Sequence, residues 1–127
     1  MHENDVAKII VDVCFKIHTK LGPGLLEVVY EEVMFHELTK RGLEVRKQVP
    51  ISVHWDSVTI DQGFRADLIV EDLVIVEIKS VEKLAPVHSK QLLTYLRLAD
   101  KRLGILVNFS GFFLKSNIRR VANNLQD

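Results

Sequence analysis

Apolar residues recur with two different periods along the 127-residue chain. From about Asn4 to Leu21, the residues Val6, Ile9, Ile10, Val13, Ile17 and Leu21 fall on one stripe, the spacing of an amphipathic helix. Asn4 or Asp5 is expected to cap its start, and Gly22-Pro23-Gly24 to end it. A second helix is predicted from roughly Leu25 to Arg41, with Leu26, Tyr30, Val33 and Leu38 facing inward and Gly42 as its C-terminal cap. At Leu43 the period shortens to two. Leu43, Val45 and Lys47 alternate with Glu44, Arg46 and Gln48, and Val49, Ile51, Val53 and Trp55 carry an alternation past Pro50, which marks a bend or an edge position. Asp56 to Gly63 reads as a polar, turn-like stretch.

Phe64 to Ser80, FRADLIVEDLVIVEIKS, predicts two short strands, Leu68 to Val70 and Leu73 to Val76, broken by Glu71-Asp72. The second is apolar on both faces, which places it in the middle of a sheet covered on both sides. Glu77 and Lys79 follow at its end, two residues apart and hence on one face. A helix from about Pro86 to Ala99 comes next, with proline in its first turn, and Leu103 to Phe109 is another buried strand. Gly111 to Leu114 is expected as a short edge strand and Ile118 to Asn124 as a terminal helical turn. The order of elements gives an α/β or α+β fold, a mixed sheet flanked by helices, in one domain spanning 1–127.

Composition narrows the picture modestly. Lys+Arg and Asp+Glu both number 17, so no global basic excess drives adhesion to nucleic acid. The single cysteine, Cys14, has no internal partner and fits a reducing compartment. The N-terminus is too charged for a signal peptide and no apolar run is long enough to span a membrane, so the expected location is cytoplasmic.

Candidate chemistry gathers at Asp67, Glu77 and Lys79. A two-residue loop at Glu71-Asp72 would pair Val70 with Leu73 and put Asp67 and Glu77 on opposite faces. A three-residue loop would pair Val70 with Val74 and bring the two acids together. On one face, two carboxylates suit a hard cation such as Mg²⁺ or Mn²⁺, with Lys79 beside them to orient a water or offset charge on a phosphate. The plainer alternative is an acid–Lys ion pair at a frayed strand end, since an acid-x-Lys triplet is common by chance. Glu27 and Tyr30 share a face of the second helix. A glutamate there is ordinarily explained by the helix dipole, and a tyrosine by the core. His88, Gln91 and Tyr95 form a stripe on the third helix that either contacts a phosphate, base or metal-bound water, or closes a polar interface. The histidines show no zinc-site spacing, and no nucleophile elbow or phosphate-binding glycine loop occurs.

Together these residues resemble a known family. Gly24, Glu27 and Tyr30 in LGPGLLEVVYEEV stand where the name of the GxxExxY proteins places them. His18, Gln48-Val49-Pro50, Asp67-Leu68-Ile69-Val70, Val76-Glu77-Ile78-Lys79, Gln91 to Leu96 and Gly104 to Phe109 resemble that family's successive blocks, over about Val6 to Arg120. The resemblance implies the PD-(D/E)XK nuclease-like superfamily and a restriction-endonuclease-like core, a central mixed sheet with helices on both faces. It implies that Asp67, Glu77 and Lys79 are the motif's residues, with Ala66 at the motif's proline, and that Glu27 is the acid from a preceding helix. Asp67, Glu77 and the Ile78 carbonyl would then hold Mg²⁺ or Mn²⁺, while Tyr30, Gln91 and Tyr95 bind substrate or orient the site. The implied activity is a metal-dependent phosphodiesterase, foremost a nuclease hydrolysing DNA. The alternative is a catalytically silent nuclease-fold module that binds nucleic acid or assembles with protein, and a small-molecule phosphate hydrolase is a third reading. A homodimer would enlarge the small surface available for gripping a duplex.

Overall fold

The computed structural model describes residues 1–61 and 63–126. Helix α1 spans Glu3–Leu21 and α2 spans Glu27–Lys40. Strands β1 (Val45–Pro50), β2 (Val53–Trp55), β3 (Val58–Ile60), β4 (Arg65–Val70) and β5 (Val74–Lys79) follow. Helix α3 (Pro86–Ala99) leads to β6 (Leu103–Asn108), a short 3-10 turn (Leu114–Asn117) and β7 (Ile118–Ala122). Five strands form one mixed sheet in the order β1-β4-β5-β6-β7, with β5 and β6 parallel and the other neighbours antiparallel. The parallel pair needs a crossover, which α3 supplies.

Both faces of the sheet are covered, which is why β5 and β6 are apolar on both sides. On one face α1 and α2 contribute Val6, Ile10, Val13, Met34 and Leu38 against Leu68, Val76 and Val107. On the other, Leu92, Tyr95 and Leu96 of α3 pack on Ile69, Ile75 and Leu106. Gly104 marks where α3 sits closest to β6. A Cβ there would lie 2.8 to 2.9 Å from Cγ and both methyls of Leu92, a fully buried side chain. Gly104→Ala is therefore expected to push α3 off the sheet and cost about 1–3 kcal/mol, read as a lower midpoint in urea unfolding.

Several boundaries differ from the sequence expectation. His2 rather than Asn4 or Asp5 caps α1: its Nδ1 accepts the Asn4 N–H at 2.9 Å, while Asp5 returns a bond to the His2 N–H. Leu26 is not inward. It is the extended residue before α2 and is 72% exposed, while the inner stripe runs Tyr30, Met34 and Leu38, with Val33 half-buried. Gly42 does terminate α2, with φ +88°, letting Leu43 N–H reach Leu38 C=O. The stretch expected to be a turn after Trp55 holds a strand, β3, which pairs with β2 as a separate hairpin; Gln62, in the same stretch, lies outside the described residues. Gly111 to Leu114 is not a strand and Ile118 to Asn124 is not a helical turn. The edge strand is Ile118–Ala122, because fully buried β6 presents a row of backbone groups that need partners on that side.

Candidate active site

The turn between β4 and β5 sets the register of the hairpin. Glu71 and Asp72 both take φ +54°, as a type I′ turn requires, and Leu73 N–H closes it onto Val70 C=O at 3.0 Å. Leu73 is then an extra residue, so Val70 faces Val74 and Leu68 faces Val76. The turn is tied down by Arg46 and Lys101, which both bond Asp72 Oδ1, and by the Glu44 N–H on Glu71 Oε2.

This parity carries Asp67 to the side of Glu77. The backbone ladder gives way there to a side chain: Ile78 N–H donates to Asp67 Oδ2 at 2.7 Å. The alternation of β4 also breaks at this point. Ala66 packs on the α3 side whereas Leu68 packs on the α1/α2 side, and Gln48, across from Asp67 in β1, has φ +50°. Asp67 thus sits at a kink and lines an open cleft of about 380 Å³ with Glu27, Val28, Glu31, Gln48 and Ile78. A larger groove, about 800 Å³, runs between α1 and β7, but its lining carries no such pair of carboxylates.

Glu77 is the unusual group. It is 6% exposed, and its Oε1 is buried with no hydrogen-bond partner among the described residues. Burial first, and then the charge of and hydrogen bonding with Asp67, push its pKa up to about 9, while the charge of Lys79 pulls the other way. Lys79, half-buried, forms no ion pair within 4.0 Å among the described residues, so the simple strand-end ion pair is not what the chain builds. Tyr95, buried on α3 and tilted against Phe64 with ring centroids 5.6 Å apart, has its hydroxyl pKa raised by burial and then by the charges of Glu77 and Asp67. Gln91 is exposed one turn before it.

On the other side, Glu27 opens α2 and is exposed above the cleft. Tyr30 is core: it stacks on Phe109 at 4.4 Å, donates to Gly22 C=O at 2.6 Å and accepts from Leu25 N–H at 3.2 Å. It shapes the turn that delivers Glu27. Tyr30→Phe leaves both backbone groups short of a partner, and about 1–3 kcal/mol of stability should be lost, measurable by thermal denaturation.

Two residues were not singled out as chemical from the sequence. Glu31, buried one turn beyond Glu27, has its pKa raised by its own burial, with Gln48 opposing. Gln48 Nε2 sits between Glu31 Oε1 (2.6 Å) and Asp67 Oδ1 (3.3 Å). The i, i+4 spacing of Glu27 and Glu31 was the available signal.

The donor set fits a hard cation: a buried carboxylate oxygen without a partner among the described residues, beside a second carboxylate, leaves an oxygen-rich gap. Among the described residues no group of three or more His, Cys, Asp or Glu side chains stands ready to hold a metal, so main-chain oxygen and water would complete the shell.

A mixed sheet with helices on both faces and an acidic pair on its central hairpin is restriction-endonuclease-like in architecture. A family-model scan matches residues 4–121 to the PD-(D/E)XK nuclease superfamily, and the chain belongs to that superfamily. No curated protein and no solved structure matches it. Nucleases of the superfamily generally use divalent metals. No helix among the described residues is long and apolar enough to cross a membrane.

Proposed function

We propose that the protein is a nuclease of GxxExxY type that hydrolyses DNA phosphodiester bonds with Mg²⁺ or Mn²⁺. The observation that carries this reading is the buried Glu77 oxygen, without a partner among the described residues and set against Asp67. Asp67, Glu77 and the Ile78 main-chain carbonyl would hold the cation, with Glu27 closing the cleft from α2 directly or through water. A bound cation supplies a Lewis acid for the phosphate and lowers the pKa of water. Lys79, on the face of Glu77 and free of an ion pair among the described residues, orients the attacking water and offsets charge developing on the phosphate. Tyr95 and Gln91 hold the phosphate from α3, and Tyr30 acts by fixing the turn before Glu27. Gln48 separates Glu31 from Asp67 and so keeps the acid pair oriented.

The equal counts of basic and acidic residues favour a second reading, the same pocket on a silent binding or assembly module. A homodimer, acting on DNA in the cytoplasm, reconciles that charge balance with cleavage by doubling the surface. The test is cleavage of linear, nicked, single-stranded and branched DNA, with RNA in parallel, in Mg²⁺ and Mn²⁺. Wild type is compared with Asp67→Ala and Lys79→Ala. Cleavage by wild type alone supports the nuclease. No cleavage by wild type, or cleavage that survives both substitutions, leaves the silent module.

A further inference from the structure

The loop after β6 exposes two aromatic rings on a tightly built support. Phe112 is 79% and Phe113 70% exposed, and their rings meet edge to face with centroids 4.9 Å apart. Two exposed phenylalanines side by side call for a ligand when the backbone beneath them is held in place. It is held here by Asn108, which is fully buried. Its Oδ1 accepts from Val81 N–H (3.0 Å) and Ser110 N–H (3.3 Å), and its Nδ2 donates to Val81 C=O (2.9 Å) and Asn117 Oδ1 (3.1 Å). Asn117 Nδ2 in turn donates to Phe113 C=O at 2.8 Å, and the His18 ring bonds Gly111 C=O at 2.8 Å. Gly111 passes so near Asn117 that a Cβ would lie 2.1 Å from its Nδ2.

The platform adjoins the candidate site. Asn108 is the register partner of Lys79, Phe109 N–H bonds Lys79 C=O at 3.0 Å, and Ser110 Oγ bonds Ser80 Oγ at 2.6 Å. The rings border a groove of about 370 Å³ whose other walls include Glu82, Lys83, Leu84 and Arg119. Lys115 is exposed on the same loop. Two cations against one acid in its walls give the groove a positive balance that the chain as a whole lacks.

We propose that Phe112 and Phe113 are a stacking platform for an unpaired base, with Lys83, Lys115 and Arg119 on the flanking phosphates, so that the preferred substrate is a single strand or a single-stranded end. Exposed rings give sequence-tolerant binding of single strands, whereas the bases of an intact duplex are already stacked on one another. This rests on the nuclease reading for its meaning as substrate choice, but binding is measured apart from cleavage.

The experiment is fluorescence anisotropy in EDTA with labelled oligothymidine, oligouridine and a blunt duplex. The Phe112→Leu/Phe113→Leu pair keeps apolar bulk without rings, and the Phe112→Tyr/Phe113→Tyr pair keeps the rings. The leucine pair should lose roughly tenfold or more in single-strand affinity, the tyrosine pair should retain it, and the duplex affinity should not change. Lys83→Ala/Arg119→Ala should flatten the salt dependence. Comparing oligothymidine with oligouridine distinguishes DNA from RNA as the source of the strand. Unchanged single-strand affinity in the leucine pair, or equal loss in both pairs, overturns the platform. So does a wild-type dimer that the leucine pair dissociates in sedimentation, which would make the rings a contact between copies. Single-strand binding that follows this pattern in a protein that cleaves nothing removes the nuclease reading and leaves the platform standing.

Discussion

Glu77→Gln is expected to raise the melting temperature at pH 8 in EDTA, and to abolish a pH dependence that wild type should display. The reason is a carboxyl whose pKa rises from an ordinary 4.5 to about 9 on folding, first through burial and then through Asp67. The folded state therefore favours the protonated acid. This contribution is fully present below about pH 4.5 and is lost progressively as pH rises toward 9. At 1.36 kcal/mol per unit, the penalty at pH 8 is on the order of a few kcal/mol, or roughly 10 °C in a chain of this size. Glutamine carries no charge at any of these pH values, and its amide can donate to Asp67. Divalent cation should narrow the gap. Mg²⁺ or Mn²⁺ added at about 100 times its Kd should stabilise wild type by about 2.7 kcal/mol, and the glutamine variant far less. Differential scanning fluorimetry across pH, with and without cation, reads both effects. A wild type with flat stability between pH 5 and pH 9 in EDTA would show that Glu77 is not buried against an ionised neighbour.

The geometry behind that prediction was only half legible in the residue pattern. Alternation and double-sided apolarity placed β5 at the centre of the sheet, and the Glu77-x-Lys79 spacing put both residues on one face. What the pattern left open was the parity of the turn. Glu71-Asp72 lacks the glycine that usually announces two left-handed residues, so nothing in the sequence said that both would adopt φ +54° and leave Leu73 as the extra residue. At Asp56, with φ +53°, the turn between β2 and β3 was readable as a turn, but not as one tight enough to leave room for a strand after it. Strand β3 was hidden for a second reason. Val58 and Ile60 are exposed, so no buried face imposes a readable pattern. The C-terminal strand was missed because its formation depends on the free edge of β6, a partner reached across the Phe112 loop (Val107 to Ile118 at the near end of the register, Leu103 to Ala122 at the far end), rather than on local propensity. Glu31 and Gln48 belong to the same class. Each looks like a solvated surface residue in its own element, and only the packing of α2 against the β1–β4 edge turns them toward Asp67.

Lys79→Ala should separate chemistry from construction. The side chain is half-buried, and among the described residues it forms no ion pair, so its truncation removes little packing. Its charge lowers the Glu77 pKa, and losing it should make the acid slightly harder to ionise. Cation binding should weaken modestly while DNA cleavage falls by about 10²–10⁴-fold, the range for a positioned group acting on proton transfer or developing charge. Asp67→Ala should behave otherwise. It removes the acceptor of the Ile78 N–H as well as a carboxylate, so cation-dependent stabilisation and cleavage should disappear together. It also lifts the repulsion on Glu77, whose pKa should fall part of the way, with burial, the larger cause, still holding it up. Because the two side chains would serve one site, the double variant should be no slower than Asp67→Ala alone. Single-turnover cleavage of labelled DNA, paired with Mn²⁺-dependent melting of the same samples, distinguishes these outcomes. Equal loss of cation-induced stabilisation in both variants would mean that Lys79 supports the fold of the hairpin end rather than the attacking water.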